Sequence, residues 1–342
     1  MPSAGAVARE SHSWYTVLMR PLVTRQEFLK TVAGGLATAA GAERTFSQQT
    51  ADVRTYVYKR AGQCQIKADV YGADAQVRKP AVIWIHGGAL ILGDRKGTSR
   101  MLQQLLLKSG FVVVSIDYRL APETKLPAII RDVQDAYQWV RRKGPQLFHI
   151  DARRIGVAGG SAGGYLTLMT GFCVSPRPRA LASFWGYGDI GGAWYSRPDA
   201  FYSKQTAVSK EEAHGAVGSA AISELPGKHS RGRFYLYCRQ QGLWPKEVAG
   251  RDPDAAPRWF DRFCPVRHVS AEYPPTLLVH GTADTDVPYE QSKMMAEKLA
   301  QAGVKHEFLT VAEGGHGLAG VAPAEVARVY ERAAAFLQSH TA

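Results

Sequence analysis

At 342 residues with 45% hydrophobic side chains, the chain is long enough for one large α/β domain with insertions, or two ordinary domains, and its composition excludes disorder at length. The formal charge of +12 and pI near 9.5 favour anionic surroundings, but the basic residues are dispersed and no groove-reading motif accompanies them, so a solvated basic surface is expected and no nucleic-acid partner. Four cysteines (Cys64, Cys173, Cys238, Cys264) lie far apart without a C-x-x-C, which argues against a metal site or redox pair and leaves buried free thiols, unless an oxidising compartment joins Cys238 to Cys264.

Residues 1–50 do not read as part of a packed core. Thr24-Arg-Gln-Glu-Phe-Leu-Lys30, followed by a mildly apolar run to Ala42, resembles a twin-arginine export signal in which Gln26 replaces the second arginine, and Met19 is an alternative start. The competing reading is a short amphipathic helix with a loose tail. Export to the periplasm or medium and residence in the cytoplasm both remain open. No stretch approaches the ~20 apolar residues that a membrane span requires, so no integral span is expected.

From residue 51 the pattern becomes regular. Alternation over residues 54–58 and 64–71 suggests a hairpin at a sheet edge. A continuous apolar strand is expected at 81–85, then a helix near 98–108, a strand at 111–116 and a helix near 127–143. Such strand–helix repeats build a parallel sheet covered on both faces. Directly after the strand at 81–85 comes His86-Gly87-Gly88-Ala89. A Gly pair at a strand's C-terminal end lets backbone N–H groups turn toward one point, as a developing oxyanion needs.

The next unit reads Arg154-Ile-Gly-Val-Ala-Gly-Gly-Ser161-Ala-Gly-Gly-Tyr165: a short strand at 155–158, a tight turn, and a helix over 162–173. Ser161 occupies the turn in the pattern Gly159-x-Ser161-x-Gly163 of a nucleophile elbow. Alone the pattern is weak, since chance supplies on the order of 0.2 such matches in a chain this long. The amides of Gly88, Ala89 and Ala162 would form the oxyanion hole, with Gly87 shaping the turn. His86 reads as a structural residue of its loop.

About ninety residues separate the strand near 181–185 from the next, at 276–280, more than a crossover helix needs. This insertion, residues 188–268, is rich in aromatics, with helices expected near 210–225 and 233–241 and breaks at Pro245, Pro253 and Pro257. After the strand at 276–280, Gly281-Thr-Ala-Asp284-Thr-Asp286-Val-Pro288 offers two candidate acids for orienting an imidazole. Three histidines follow. His306 falls in a strand and His340 in the tail of a helix expected over 323–337, which leaves His316, on the Gly-flanked loop after residues 306–311, as the base.

The order Ser161, acid, His316, each following a strand, matches that of α/β-hydrolases. With His86-Gly-Gly-Ala89, Asp117-Tyr-Arg-Leu-Ala-Pro-Glu123, the elbow, His280 to Pro288 and Gly315-His316, the chain resembles α/β-hydrolase-fold carboxylesterases. It is similar to the branch containing hormone-sensitive-lipase-like, feruloyl and acetylxylan esterases and relatives of prolyl oligopeptidase. The resemblance implies a doubly wound, mostly parallel eight-stranded sheet in one domain over residues 51–342, with residues 188–268 as a helical lid. It assigns the acid to Asp284 rather than Asp286. It also implies a small-molecule ester as substrate, of short to medium acyl or aryl type, with no cofactor and no metal. Two departures stand out: Ala89 where a third glycine is common, and Gly160 where the hormone-sensitive group often carries aspartate. Cleavage of amides or peptides on the same triad, and a ligand-binding protein without catalysis, are the alternatives.

Overall fold

The computed structural model describes residues 53–74, 76–225 and 231–341, so the export-signal reading of residues 1–50 lies outside the described residues. Eight strands form one sheet in the order β1-β2-β4-β3-β5-β6-β7-β8. The outer strand β1 (Val53–Ala61) is largely exposed and pairs antiparallel with β2 (Cys64–Tyr71), which pairs antiparallel with β4 (Val112–Ile116). All remaining pairs are parallel, through β3 (Lys79–Ile85), β5 (Ile150–Gly160), β6 (Ala180–Phe184), β7 (Thr276–Gly281) and β8 (His306–Val311). The central strands are near-continuous apolar runs because helices cover both of their faces.

On one face, α1 (Arg100–Lys108) and α10 (Pro323–Thr341) join a single cluster in which Leu102, Leu106, Tyr330 and Phe336 meet Trp84 and Phe184 of the sheet. On the other, α2 (Leu126–Leu147) and α3 (Ala162–Cys173) pack together and against β5. Helix α9 (Glu290–Gln301) packs on β7 and β8.

Between β6 and β7 run α4 (Ala193–Ser196), α5 (Lys210–Gly215), α6 (Gly232–Gln241), α7 (Trp244–Ala249) and α8 (Pro257–Asp261). The helix expected over 210–225 stops at Gly215. Beyond it the chain bonds to the loop after β4 and to β2 instead: Gly218 N–H donates to Glu123 Oε1 at 2.7 Å, Leu120 N–H donates to Ile222 O at 2.9 Å, and the Ser223 hydroxyl donates to Gln65 O at 3.0 Å. Pro245 and Pro257 do not break helices but begin them, in the first turns of α7 and α8. There the missing N–H has no intrahelical partner to lose.

Gly171 of α3 opposes the buried ring of Tyr273, where an added Cβ would lie 2.2 Å from Cζ. Replacing glycine by alanine inside a helix gains up to ~1 kcal/mol of propensity, but the clash costs more. Gly171→Ala is therefore expected to lose about 2 kcal/mol and to melt roughly 3 °C lower by circular dichroism. A variant as stable as the parent would mean that the Tyr273 ring moves aside freely.

Candidate active site

From β3 the chain winds to β4 on one side and then returns past β3 to β5 on the other. The connections leaving β3 and β5 therefore diverge and open a crevice at the strands' C-terminal ends. The loop after β3 carries His86, Gly87, Gly88 and Ala89, and the turn after β5 carries Ser161.

Ser161 holds φ 55° and ψ −122°, a conformation an L-residue keeps only under constraint. The constraint is the docking of the turn on β3. A Cβ on Gly163 would lie 2.0 Å from Ile85 O, and one on Gly159 would lie 2.5 Å from Gly163 O. Only glycine fits at either position. Ser161 N–H donates to Phe184 O at 2.8 Å, while its side chain caps nothing in α3, which leaves the hydroxyl for another partner.

Gly87 passes directly over this turn, since a Cβ there would sit 3.3 Å from Ser161 Cβ. Gly88, Ala89 and Leu90 follow at φ 110°, 55° and 61°, and the two non-glycine residues each cost on the order of 1 kcal/mol in this region. The carbonyls of the loop are tied to the protein. Ile91 and Leu92 N–H donate to Gly88 O at 2.9 and 2.8 Å, and Ala121 N–H donates to Leu90 O at 2.8 Å. Trp244 Nε1–H donates to Ala89 O at 2.9 Å, and Arg231 Nε–H donates to Ile91 O at 2.8 Å. By contrast the N–H groups of Gly88, Ala89 and Ala162 have no acceptor among the described residues. His86 stands apart from them: its ring stacks on Tyr118 at 4.2 Å, its Nδ1–H donates to Gly87 O at 2.7 Å, and burial lowers its pKa to about 4.

His316 follows β8. Its Nδ1–H donates to Asp284 Oδ2 at 2.8 Å, and its Nε2 accepts the Ser161 hydroxyl at 3.1 Å. Ser161, His316 and Asp284 thus form one hydrogen-bonded row, though 155 residues separate the first two. Asp286 takes a different place, with Oδ2 3.4 Å from His316 Nε2 rather than Nδ1. His306 and His340 lie outside the row and bond to nearby carbonyls of Val304 and Phe336.

The acid is held from several sides. Asp284 Oδ1 accepts the N–H groups of Asp286 and Val287, each at 2.9 Å. His280 Nε2 lies 3.2 Å from Asp284 Oδ2 and 3.0 Å from Val287 O. With two acceptors before it, Nε2 carries the hydrogen, and Nδ1 accepts the Ser292 hydroxyl at 2.7 Å. Burial pushes the Asp284 carboxyl up, but His316 and His280 outweigh it and hold the group below the ordinary carboxylate range. For His316, burial works downward, and the charges of Asp284 and Asp286 outweigh it to raise the imidazole above its ordinary value.

Sequence reasoning missed the groups that hold these residues. Trp185, at φ 39°, sets its indole edge-on to the His316 ring at 6.3 Å. Trp244 stacks on Tyr195 at 4.0 Å, and Tyr195 on Trp194 at 3.8 Å. Arg239 Nη1 donates to Asp286 Oδ1 at 2.7 Å. Of the missed residues, only His280 carried a local signal, the H-G-x-x-D spacing ahead of Asp284. Among the described residues, no three His, Cys, Asp or Glu side chains gather as a metal site would require. Cys238 and Cys264 are both free and buried, and the Cys264 thiol donates to Asp189 Oδ1 at 3.2 Å.

A family model described as BD-FAE matches residues 68–299, and one described as a TAP-like protein matches residues 261–339. A non-reducing polyketide synthase of Aspergillus terreus is 29% identical over an alignment of 313 residues that covers 77% of this chain and 13% of the synthase. The chain spans only 13% to 14% of the length of such curated relatives. Among solved structures, an alpha/beta hydrolase superfamily protein from Enterococcus faecalis gives a TM-score of 0.63 at 23% identity, over 80% of this chain and 96% of that one. EstE1, a thermostable carboxylesterase cloned from a metagenomic library, gives 0.63 at 23% identity, over 85% and 90%. The two structures share the fold, an eight-stranded sheet wound as described above. Matched over more than half its length by the first model, the chain belongs to the BD-FAE family of α/β-hydrolases.

Proposed function

We propose that the protein is a serine carboxylesterase that hydrolyses short to medium acyl or aryl esters through an acyl-enzyme on Ser161. The observation that carries this reading is the row from Ser161 Oγ through His316 to Asp284. His316 Nε2 takes the hydroxyl proton as Oγ bonds to the ester carbon, and the carbonyl π pair moves onto oxygen. The N–H groups of Gly88, Ala89 and Ala162 receive that oxyanion, with Gly87 shaping the loop that presents two of them. Collapse expels the alcohol, which leaves with the proton held on His316. Water then gives a proton to the same nitrogen as it bonds to the acyl carbon, and the second collapse breaks the Oγ–carbon bond, frees the acid and returns the proton from Nε2 to Ser161 Oγ.

Residues 188–268 serve as a lid in this reading. Its support is the Trp244 bond to Ala89 O and the clamp of Arg239 on Asp286. The partly exposed indoles of Trp185, beside His316, and of Trp194, backed by the buried Tyr195 and Trp244, offer flat apolar faces, which suit an aryl or medium acyl group better than a long lipid chain. That EstE1 is a carboxylesterase favours esters over amides.

Ser161→Ala should lower p-nitrophenyl acetate turnover by at least about 10⁴-fold without loss of fold, and should abolish labelling by a fluorophosphonate. Turnover retained at the parent level would end the reading. The pH profile follows from His316. Below its pKa the imidazolium has no lone pair to accept a proton, so kcat/KM falls as pH drops through that pKa. Because the pKa is raised, the acid limb should lie above the ~6.5 of an unperturbed imidazole. A limb well below that value would contradict the assignment of the base. Trp244→Phe keeps an aromatic ring, smaller than the indole, and removes the donor to Ala89 O. With one hydrogen bond worth about 1 kcal/mol, kcat should fall roughly fivefold while KM changes little. The reverse pattern would place Trp244 against the substrate instead of behind the loop.

A further inference from the structure

Asp286 is one residue removed from Asp284's neighbour, yet it reaches the opposite side of the same imidazole. Its Oδ1 accepts the hydroxyls of Tyr202 and Tyr235, at 2.9 and 2.5 Å, and Arg239 Nη1 at 2.7 Å. Arg239 Nη1 also lies 2.9 Å from Asp286 O. These bonds fix the carboxylate in one rotamer and turn Oδ2 toward His316 Nε2, 3.4 Å away. Nε2 is the nitrogen that shares the Ser161 proton.

We propose that Asp286 is a second catalytic carboxylate of this site, whose Oδ2 faces His316 Nε2 and stabilises the imidazolium formed at each proton transfer. The proposal rests on the reading of Ser161 as nucleophile and His316 as base. In the first transfer the Ser161 O–H bond breaks, an N–H bond forms at Nε2, and the new positive charge lies between Asp284 at Nδ1 and Asp286 at Nε2. In the second the N–H bond breaks and the departing alkoxide takes the proton. Asp286 does not keep it, because a carboxylate is far less basic than an alkoxide.

Anchoring the insertion does not account for the charge at this position. The hydrogen bonds that Tyr202, Tyr235 and Arg239 donate to Oδ1 would be accepted equally by an asparagine amide oxygen. Nor does Arg239 cancel the charge. Its guanidinium is shared with Asp199 Oδ2 at 2.6 Å, so one positive charge serves two carboxylates. The charged and titratable groups around His316 are therefore Asp284 and Asp286 from the loop after β7, Ser161 from the elbow, and Arg239 of α6 behind Asp286, with Asp199 beyond it. Asp286 additionally faces the phenols of Tyr202 and Tyr235. Burial opposes protonation of His316, and the two carboxylates overcome it.

The test is kcat/KM for p-nitrophenyl acetate as a function of pH in Asp286→Asn, with thermal unfolding as the check on fold. A neighbouring carboxylate favours the protonated imidazole, so its removal should move the acid limb to lower pH by about one unit and lower the plateau about tenfold. A reduced plateau with an unmoved limb, or a limb moved upward, would overturn the proposal and leave Asp286 as an anchor alone. Where Asp286→Asn leaves Arg239 too poorly compensated to fold, the double variant Asp286→Asn/Arg239→Gln removes both charges, and its limb must move in the same direction by a smaller step. An unmoved limb there overturns the proposal as well. Ser161→Ala assayed in parallel separates the two readings: turnover retained in that variant sinks the nucleophile and this proposal together, whereas an inactive Ser161→Ala beside an unmoved Asp286→Asn limb sinks this proposal only.

Discussion

Helix α3 meets the end of β3 at Gly163, where even a single methyl group would be driven 2.0 Å from the carbonyl of Ile85. That contact sets how far the serine stands from the loop after β3, because the same few atoms belong to both. Ile85 ends the strand and His86 to Ala89 leave it, while Ser161 lies two residues before Gly163. Neither piece relaxes without displacing the other. The left-handed conformations at Ser161, Ala89 and Leu90, on the order of 1 kcal/mol each, persist because the surrounding bonds over-determine them.

The loop after β7 is organised by a different economy, in which one carboxylate satisfies its own turn and orients two rings. Asp284 spends Oδ1 on the N–H groups of Asp286 and Val287, and Oδ2 on His316 and His280. Those two N–H bonds shape the loop so that the side chains of Asp284 and Asp286 diverge. One goes beneath the imidazole to Nδ1, and the other reaches Nε2 from the side of the insertion. A turn of three residues thereby connects Asp284 to Tyr202, Tyr235 and Arg239, none of which is near it in sequence.

What the sequence made legible is what local chemistry records. Continuous apolar runs marked β3 to β7, glycines at 159 and 163 marked the elbow, and the shortage of histidines after residue 284 isolated His316. The rest depends on long-range pairing. Trp244 bonds to a carbonyl 155 residues away, and Arg239 to an acid 47 residues away, so neither carries a neighbouring signal. Residues 216–225 failed as a helix for the same reason, since their backbone partners lie on Leu120 and Glu123. The segment Asp117 to Glu123 carries a pattern that reads as architectural, fixing the loop after its strand, with no chemistry of its own. Asp117 binds Arg95, the Tyr118 hydroxyl donates to His86 O, Arg119 binds Asp132, and Glu123 binds Arg231. Asp117, Tyr118 and Glu123 brace the loop after β3 or the insertion behind it, and Arg119 ties the segment to α2.

These connections tie the inserted residues to the hydrogen-bonded row in a particular way. The groups of the hydrogen-bonded row stand on strand ends, which the sheet fixes, but the Ala89 carbonyl and the Asp286 carboxylate are held by Trp244 and by Arg239 with its two tyrosines. All of those holders belong to the inserted residues. An insertion that only roofed a pocket could change its lining and leave the reacting atoms untouched. Here a displaced α6 or α7 would release a carbonyl of the Gly88–Leu90 turn and re-aim a charge at the imidazole in the same movement, so a change of lining at these helices is also a change in the geometry of the site.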